Sequence, residues 1–131
     1  MTIRLAIALT VVAVAGAPLL AHHSFAAQYD ATKAIRLEGT LSKVEWTNPH
    51  TYFYIDVKTE DGTIETWGCE GASPGALSRR GFKRGDMTLG DAIVVDGYRA
   101  RDGSRLIDAR RVTLANGRVV SGASAGDGGP Q

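Results

Sequence analysis

Between Ile35 and Leu114 the chain alternates apolar and polar residues in short runs, each closed by a turn signal, and such a pattern admits β-strands and little else. Ile35, Leu37, Gly39 and Leu41 alternate with Arg36, Glu38, Thr40 and Ser42, giving a strand with one buried face. Val44 and Trp46 then carry the apolar phase in the other register, which predicts a bulge near Ser42-Lys43. After the Asn48-Pro49 turn, Phe53, Ile55 and Val57 point one way and Tyr52, Tyr54, Asp56 and Lys58 the other. Glu60-Asp61-Gly62 closes a hairpin into a third strand from Thr63 to Glu70. Ser73 is a good N-cap, Pro74 a good first helical residue and Gly81 a stop, so a helix of about two turns belongs here. A fourth strand, Ala92 to Ala100, turns at Asp102-Gly103 into a fifth, Leu106 to Leu114, whose phase shifts near Arg110-Arg111. A stub at Arg118 to Val120 follows Asn116-Gly117.

Three strands, one short helix and two strands, some bent by bulges, are the element order of an OB-like barrel. The expectation is therefore an all-β fold, a small five-stranded OB-like barrel over residues 35–120 with its helix between strands 3 and 4. A flat sandwich of the same strands is the competing architecture. Phe25 to Ala34 is weakly patterned and is expected to cross the domain as an N-terminal arm, residues 22–34. Residues 121–131, rich in Gly, Ala and Ser, are expected to be a disordered tail.

The N-terminus reads as an export signal over residues 1–21. Arg4 precedes an apolar run from Leu5 to Ala15, which Gly16 and Pro18 break too early for a membrane-spanning helix, and His22-His23-Ser24 follows at once. Cleavage after Ala21 leaves a small residue at the end of the leader and starts the mature chain at His22. The expected location is periplasmic or secreted, with no stable membrane insertion after signal cleavage.

Of 15 basic and 14 acidic side chains, Arg4 lies in the leader, so the remainder balances to zero. A phosphate-backbone binder carries a basic surplus, and nucleic acid is accordingly not expected as a partner. Arg79, Arg80, Lys83 and Arg84 form one local basic cluster, read as solvated surface at a helix end. Cys69 is the one cysteine, so no internal disulfide forms, and it reads as a small buried strand residue. Glu65 and Glu70 read as solvated faces, and no Ser/His/Asp set or phosphate loop is recognisable, which argues against an enzyme.

Four stretches are distinctive in combination: Ala21-His22-His23-Ser24-Phe25, Glu45-Trp46-Thr47-Asn48-Pro49-His50, Glu70-Gly71-Ala72-Ser73-Pro74, and Asp96-Gly97-Tyr98-Arg99-Ala100-Arg101-Asp102-Gly103-Ser104. Together they resemble a family of small exported bacterial proteins of unknown function. The resemblance implies a single exported domain and brings no activity with it.

The sharpest chemical signal is the placement of the three histidines, two at the predicted mature N-terminus and His50 directly after Asn48-Pro49. A mature N-terminal histidine offers an amine and an imidazole nitrogen from one residue, and a third nitrogen from His50 or His23 completes a T-shaped set. Such nitrogens favour late first-row metals, with affinity peaking at copper and zinc as runner-up. The set resembles the N-terminal brace of copper-dependent oxidases and periplasmic copper carriers. His22, His23 and His50 are therefore the candidate metal residues, and carriage or sensing is expected ahead of turnover. The bland alternative makes His22-His23 a solvated terminus and His50 a turn residue bonded to a nearby carbonyl. A different class of function is a metal-free binding module for a glycan or a periplasmic partner protein, with Trp46, Tyr52, Tyr54 and Trp67 as stacking surfaces.

Overall fold

The computed structural model describes residues 24–130. A four-residue helix, α1 (Phe25–Gln28), leads directly into β1 (Tyr29–Glu45), followed by β2 (Thr51–Lys58), β3 (Ile64–Gly71), α2 (Pro74–Arg79), one 3-10 turn at Arg84–Asp86, β4 (Ala92–Ala100), β5 (Leu106–Thr113) and β6 (Val119–Ser121). The strands lie in the order β3-β2-β1-β4-β5-β6, and a parallel pairing of β3 with β5 closes the first five into a ring. That closure, with α2 between β3 and β4, is the OB-like barrel that the element order predicts, and it excludes the flat sandwich. Among the described residues no helix is long and apolar enough to cross a membrane.

The alternation read from the sequence sets the inner face. Leu41, Phe53, Ile55, Trp67, Cys69, Val95, Ile107 and Val112 fill the barrel, and Leu77, Phe82 and Met87 from the α2 region join the same core. Leu77 and Phe82 are fully buried, and each such side chain contributes about 2–3 kcal/mol by leaving water. Ser73 caps α2 by accepting the Ala76 N–H at 3.3 Å, and Gly81 leaves the helix with φ +83°, as expected of a stop residue.

Both predicted phase shifts are irregularities in the ladder. One lies between Leu41 and Lys43 of β1. At the other, Asp96 faces Arg111 and Gly97 faces Ala109, so Arg110 bulges from β5 without a partner on β4. The predicted arm is different from expectation: Tyr29 pairs with Ala100 and Ala34 with Tyr98, so its last six residues, Tyr29–Ala34, are the start of a 17-residue β1. The tail, expected to lack order, folds back over the barrel from β6, with Ala72 N–H donating to Gly122 O at 2.8 Å and Phe25 N–H to Asp127 O at 3.0 Å. The predicted signal, its cleavage point, His22 and His23 lie outside the described residues.

Candidate functional site

The site is built at one end of the outer face where β2, β3 and β5 meet. The hairpin between β2 and β3 sets Tyr52 opposite Glu70, and the parallel seam sets Glu70 opposite Asp108. These three point away from the core, yet Glu70 is only 8% and Asp108 only 6% exposed. The cover comes from the N-terminal segment. Phe25, Tyr29 and Ala100 form a second small apolar cluster with Tyr98 and Leu106, laid over the outside of the barrel. Phe25 meets Tyr98 edge-on with ring centroids 5.5 Å apart.

Burying a carboxylate requires that its lone pairs be answered. Tyr29 donates its hydroxyl to Glu70 Oε2, and Tyr52 stands against the same carboxylate. Burial, reinforced by the neighbouring carboxylate, pushes both phenols well above the ordinary tyrosine range. His50 follows the cis Asn48–Pro49 peptide and precedes β2. Its Nδ1 lies 3.3 Å from Glu70 Oε1 and 3.3 Å from the Gly71 carbonyl oxygen. The Gly71 carbonyl can only accept, so a neutral imidazole bonded to it carries its proton on Nδ1 and keeps the lone pair on Nε2, with the Glu70 carboxylate beside the same nitrogen. Behind this group, burial raises the Asp108 carboxyl to about 6, although Arg110 donates to it and opposes the shift. Arg110 also binds Asp127 at 3.0 Å and lies over the Phe25 ring, 4.8 Å from its centre.

His50 borders two cavities. One, of about 490 Å³, is lined by His50, Tyr52 and Glu70 on the barrel side, Ala27 and Gln28 of α1, and Arg101-Asp102 of the β4–β5 turn. The other, of about 410 Å³, is lined by Pro49-His50, Ala72, Ser73, Ala76, Arg79 and Ser124–Asp127 of the tail. Among the described residues no group of three His, Cys, Asp or Glu side chains could hold a metal by itself. Cys69 is fully buried in the core, as its sequence position predicts, and burial pushes its thiol upward.

The four aromatic candidates do not form a strip. Tyr52 and Tyr54 share the outer face of β2, where Tyr54 donates to Glu45 at 3.0 Å and Lys43 lies 5.1 Å over its ring. Trp46 packs edge-on against Phe82, 5.5 Å between ring centres. Trp67 is 5% exposed, bonds Glu65 through its indole N–H at 3.3 Å, and has Arg99 over its ring. Reading Glu70 as a solvated face is corrected: α1 and Tyr29 cover it, whereas Glu65 does remain near the surface and pairs with Arg105 at 2.8 Å. The register of the Glu60-Asp61-Gly62 hairpin could have paired Glu70 with Tyr52; only the fold of the N-terminal segment reveals Tyr29. In the basic cluster, Arg80 binds the Ala123 carbonyl and Arg84 the Met87 carbonyl, so part of it holds loops in place.

Comparison with known proteins adds a family and a distant shape. The model of a family of unknown function (DUF6152) matches residues 8–107. No curated protein matches. The crystal structure of a small single-stranded DNA-binding protein from Streptomyces coelicolor is similar at 17% identity and a TM-score of 0.42, covering 62% of this chain and 89% of that chain.

Proposed function

The chain belongs to the family of unknown function DUF6152, which hands down no activity, and from that premise we propose an exported copper-binding protein that carries or senses the ion. In this reading Cu(II) is held by Nε2 of His50 together with the amine and imidazole of His22 at a mature N-terminus, with His23 as a further donor and Zn(II) as the runner-up ion. The observation that carries it is the hydrogen bond of His50 Nδ1 to the Gly71 carbonyl, with the Glu70 carboxylate 3.3 Å from the same nitrogen. Metal-binding histidines characteristically donate their second ring N–H to a carboxylate or a backbone carbonyl, which fixes the ring and raises its basicity. Chain geometry supports it as well: His23 is two residues upstream of Phe25, and Ala27 and Gln28 line one cavity with His50. Among the described residues the thiol of Cys69 and the thioether of Met87 are both in the core, so the donors they leave on offer are nitrogen and oxygen, which suit Cu(II) better than Cu(I).

The test is a Cu(II) titration of the exported protein, with its first residue fixed by mass spectrometry, followed by calorimetry and electron paramagnetic resonance. The parent is expected to bind one equivalent with nitrogen hyperfine structure, and His50→Ala or His22→Ala to weaken binding at least tenfold. A His22→Ala, His50→Ala double variant that binds as tightly as the parent overturns the reading. The competing function, a metal-free module for a glycan or a periplasmic partner protein, draws its support from the cavity beside Tyr52. It is weakened by the burial of Trp67.

A further inference from the structure

We infer that the C-terminal strap, residues 122–129, seats the N-terminal segment at the His50 end of the barrel, so that both ends of the chain build one site. α1 has four residues and no side-chain bond at its N-cap, and a single turn of that length does not hold itself. Its carbonyls are tied to the β4–β5 turn, where Arg101 donates from Nε to Ala26 O at 2.7 Å and from its backbone to Gln28 O at 2.9 Å. Its upstream end is tied to the strap, through Phe25 N–H to Asp127 O at 3.0 Å.

The strap is itself anchored on the barrel. Gly122 N–H donates to Arg110 O at 3.1 Å, and a Cβ on Gly122 would stand 2.6 Å from the Ala109 carbonyl oxygen, so the close approach requires glycine. The Asp127 carboxylate takes Arg110 at 3.0 Å on one oxygen and the Gly129 N–H at 2.8 Å on the other. Arg110 thus holds the strap through Asp127 while its guanidinium lies over the Phe25 ring. Residues 124–127 also line the second cavity, together with His50. Removing the strap therefore removes the backbone hydrogen bond that fixes Phe25, two residues after His23, and part of the lining of the second His50 cavity.

The consequence for metal binding rests on the function proposed above; the seating of Phe25 does not. The experiment compares the exported parent with a chain ending at Gly122 and with Asp127→Ala, using hydrogen exchange and Cu(II) titration. Expected is a loss of protection of tenfold or more at Phe25 and Ala27 in both variants, with core amides of β2 and β4 unchanged, and a Cu(II) affinity lowered about tenfold. Unchanged protection at Phe25 and Ala27 overturns the inference, and Asp127→Ala decides it should the shortened chain fail to fold. A parent that binds no Cu(II) defeats the proposed function while the exchange arm still judges the strap. Protection lost with Cu(II) affinity unchanged overturns the claim that the strap completes the metal site.

Discussion

Glu70 and Asp108 are neighbours across the seam, yet their surroundings assign them opposite tasks. Glu70 accepts from Tyr29 and faces Nδ1 of His50, so its charge orients a ring. Glu70→Gln keeps the shape and removes the charge; Cu(II) affinity is expected to fall by about tenfold in calorimetry, the usual size of an orienting carboxylate's effect, with far-ultraviolet circular dichroism unchanged. Asp108 instead sits at about 6 against an ordinary 3.8, chiefly because burial disfavours its charge. A folded value above the unfolded one means that the native state holds the proton more tightly. The stabilisation is full below about pH 4 and is lost as the pH rises towards 6, an effect on the order of 2–3 kcal/mol. Asp108→Asn removes that slope, and urea unfolding at pH 4 and pH 7 measures it; an unaltered difference between the two pH values contradicts the assignment. The sequence puts Glu70 on an outward face, and outward it points, but the same sequence does not single out Asp108. It cannot say that Phe25 and Tyr29 return over that face, because the burial comes from residues far away in the chain.

At the scale of elements, the bulges are where sequence and structure agree most closely. An apolar phase that slips by one residue has to be absorbed somewhere, and it is absorbed at Leu41/Lys43 and at Arg110. The second slip brings strands so close that a Cβ at Gly97 would lie 1.9 Å from the Asp108 carbonyl oxygen. Backbone cannot yield as a side chain does, so Gly97→Ala is expected to cost about 3 kcal/mol or to prevent folding. Gly85→Ala, where nothing lies within 4 Å, is expected to be neutral in the same denaturant titration. The first part of β1 was illegible for the complementary reason. Ala31, Thr32 and Lys33 are exposed, so no buried face imposes a period on them. The α2 cap was legible from Ser73 and Pro74, and Ser73→Ala is expected to lower stability by about 1 kcal/mol, read from the shift of the urea midpoint.

For the whole molecule, element order identified the barrel class, while its closure rests on a feature that alternation does not encode. Gly68, Cys69 and Glu70 pair in parallel with Leu106, Ile107 and Asp108, residues that the sequence separates by a helix, a turn and a strand. The candidate site straddles this seam, which is why one of its carboxylates comes from each side. Cys69 lies on the same seam with no exposed surface. An alkylating reagent can therefore reach its sulfur only when the ring comes apart, which makes the one thiol a native reporter of barrel opening. Its modification rate in mild urea is expected to follow the global unfolding equilibrium, and a rate that ignores urea would reveal that the two strands part while the rest of the protein stays folded.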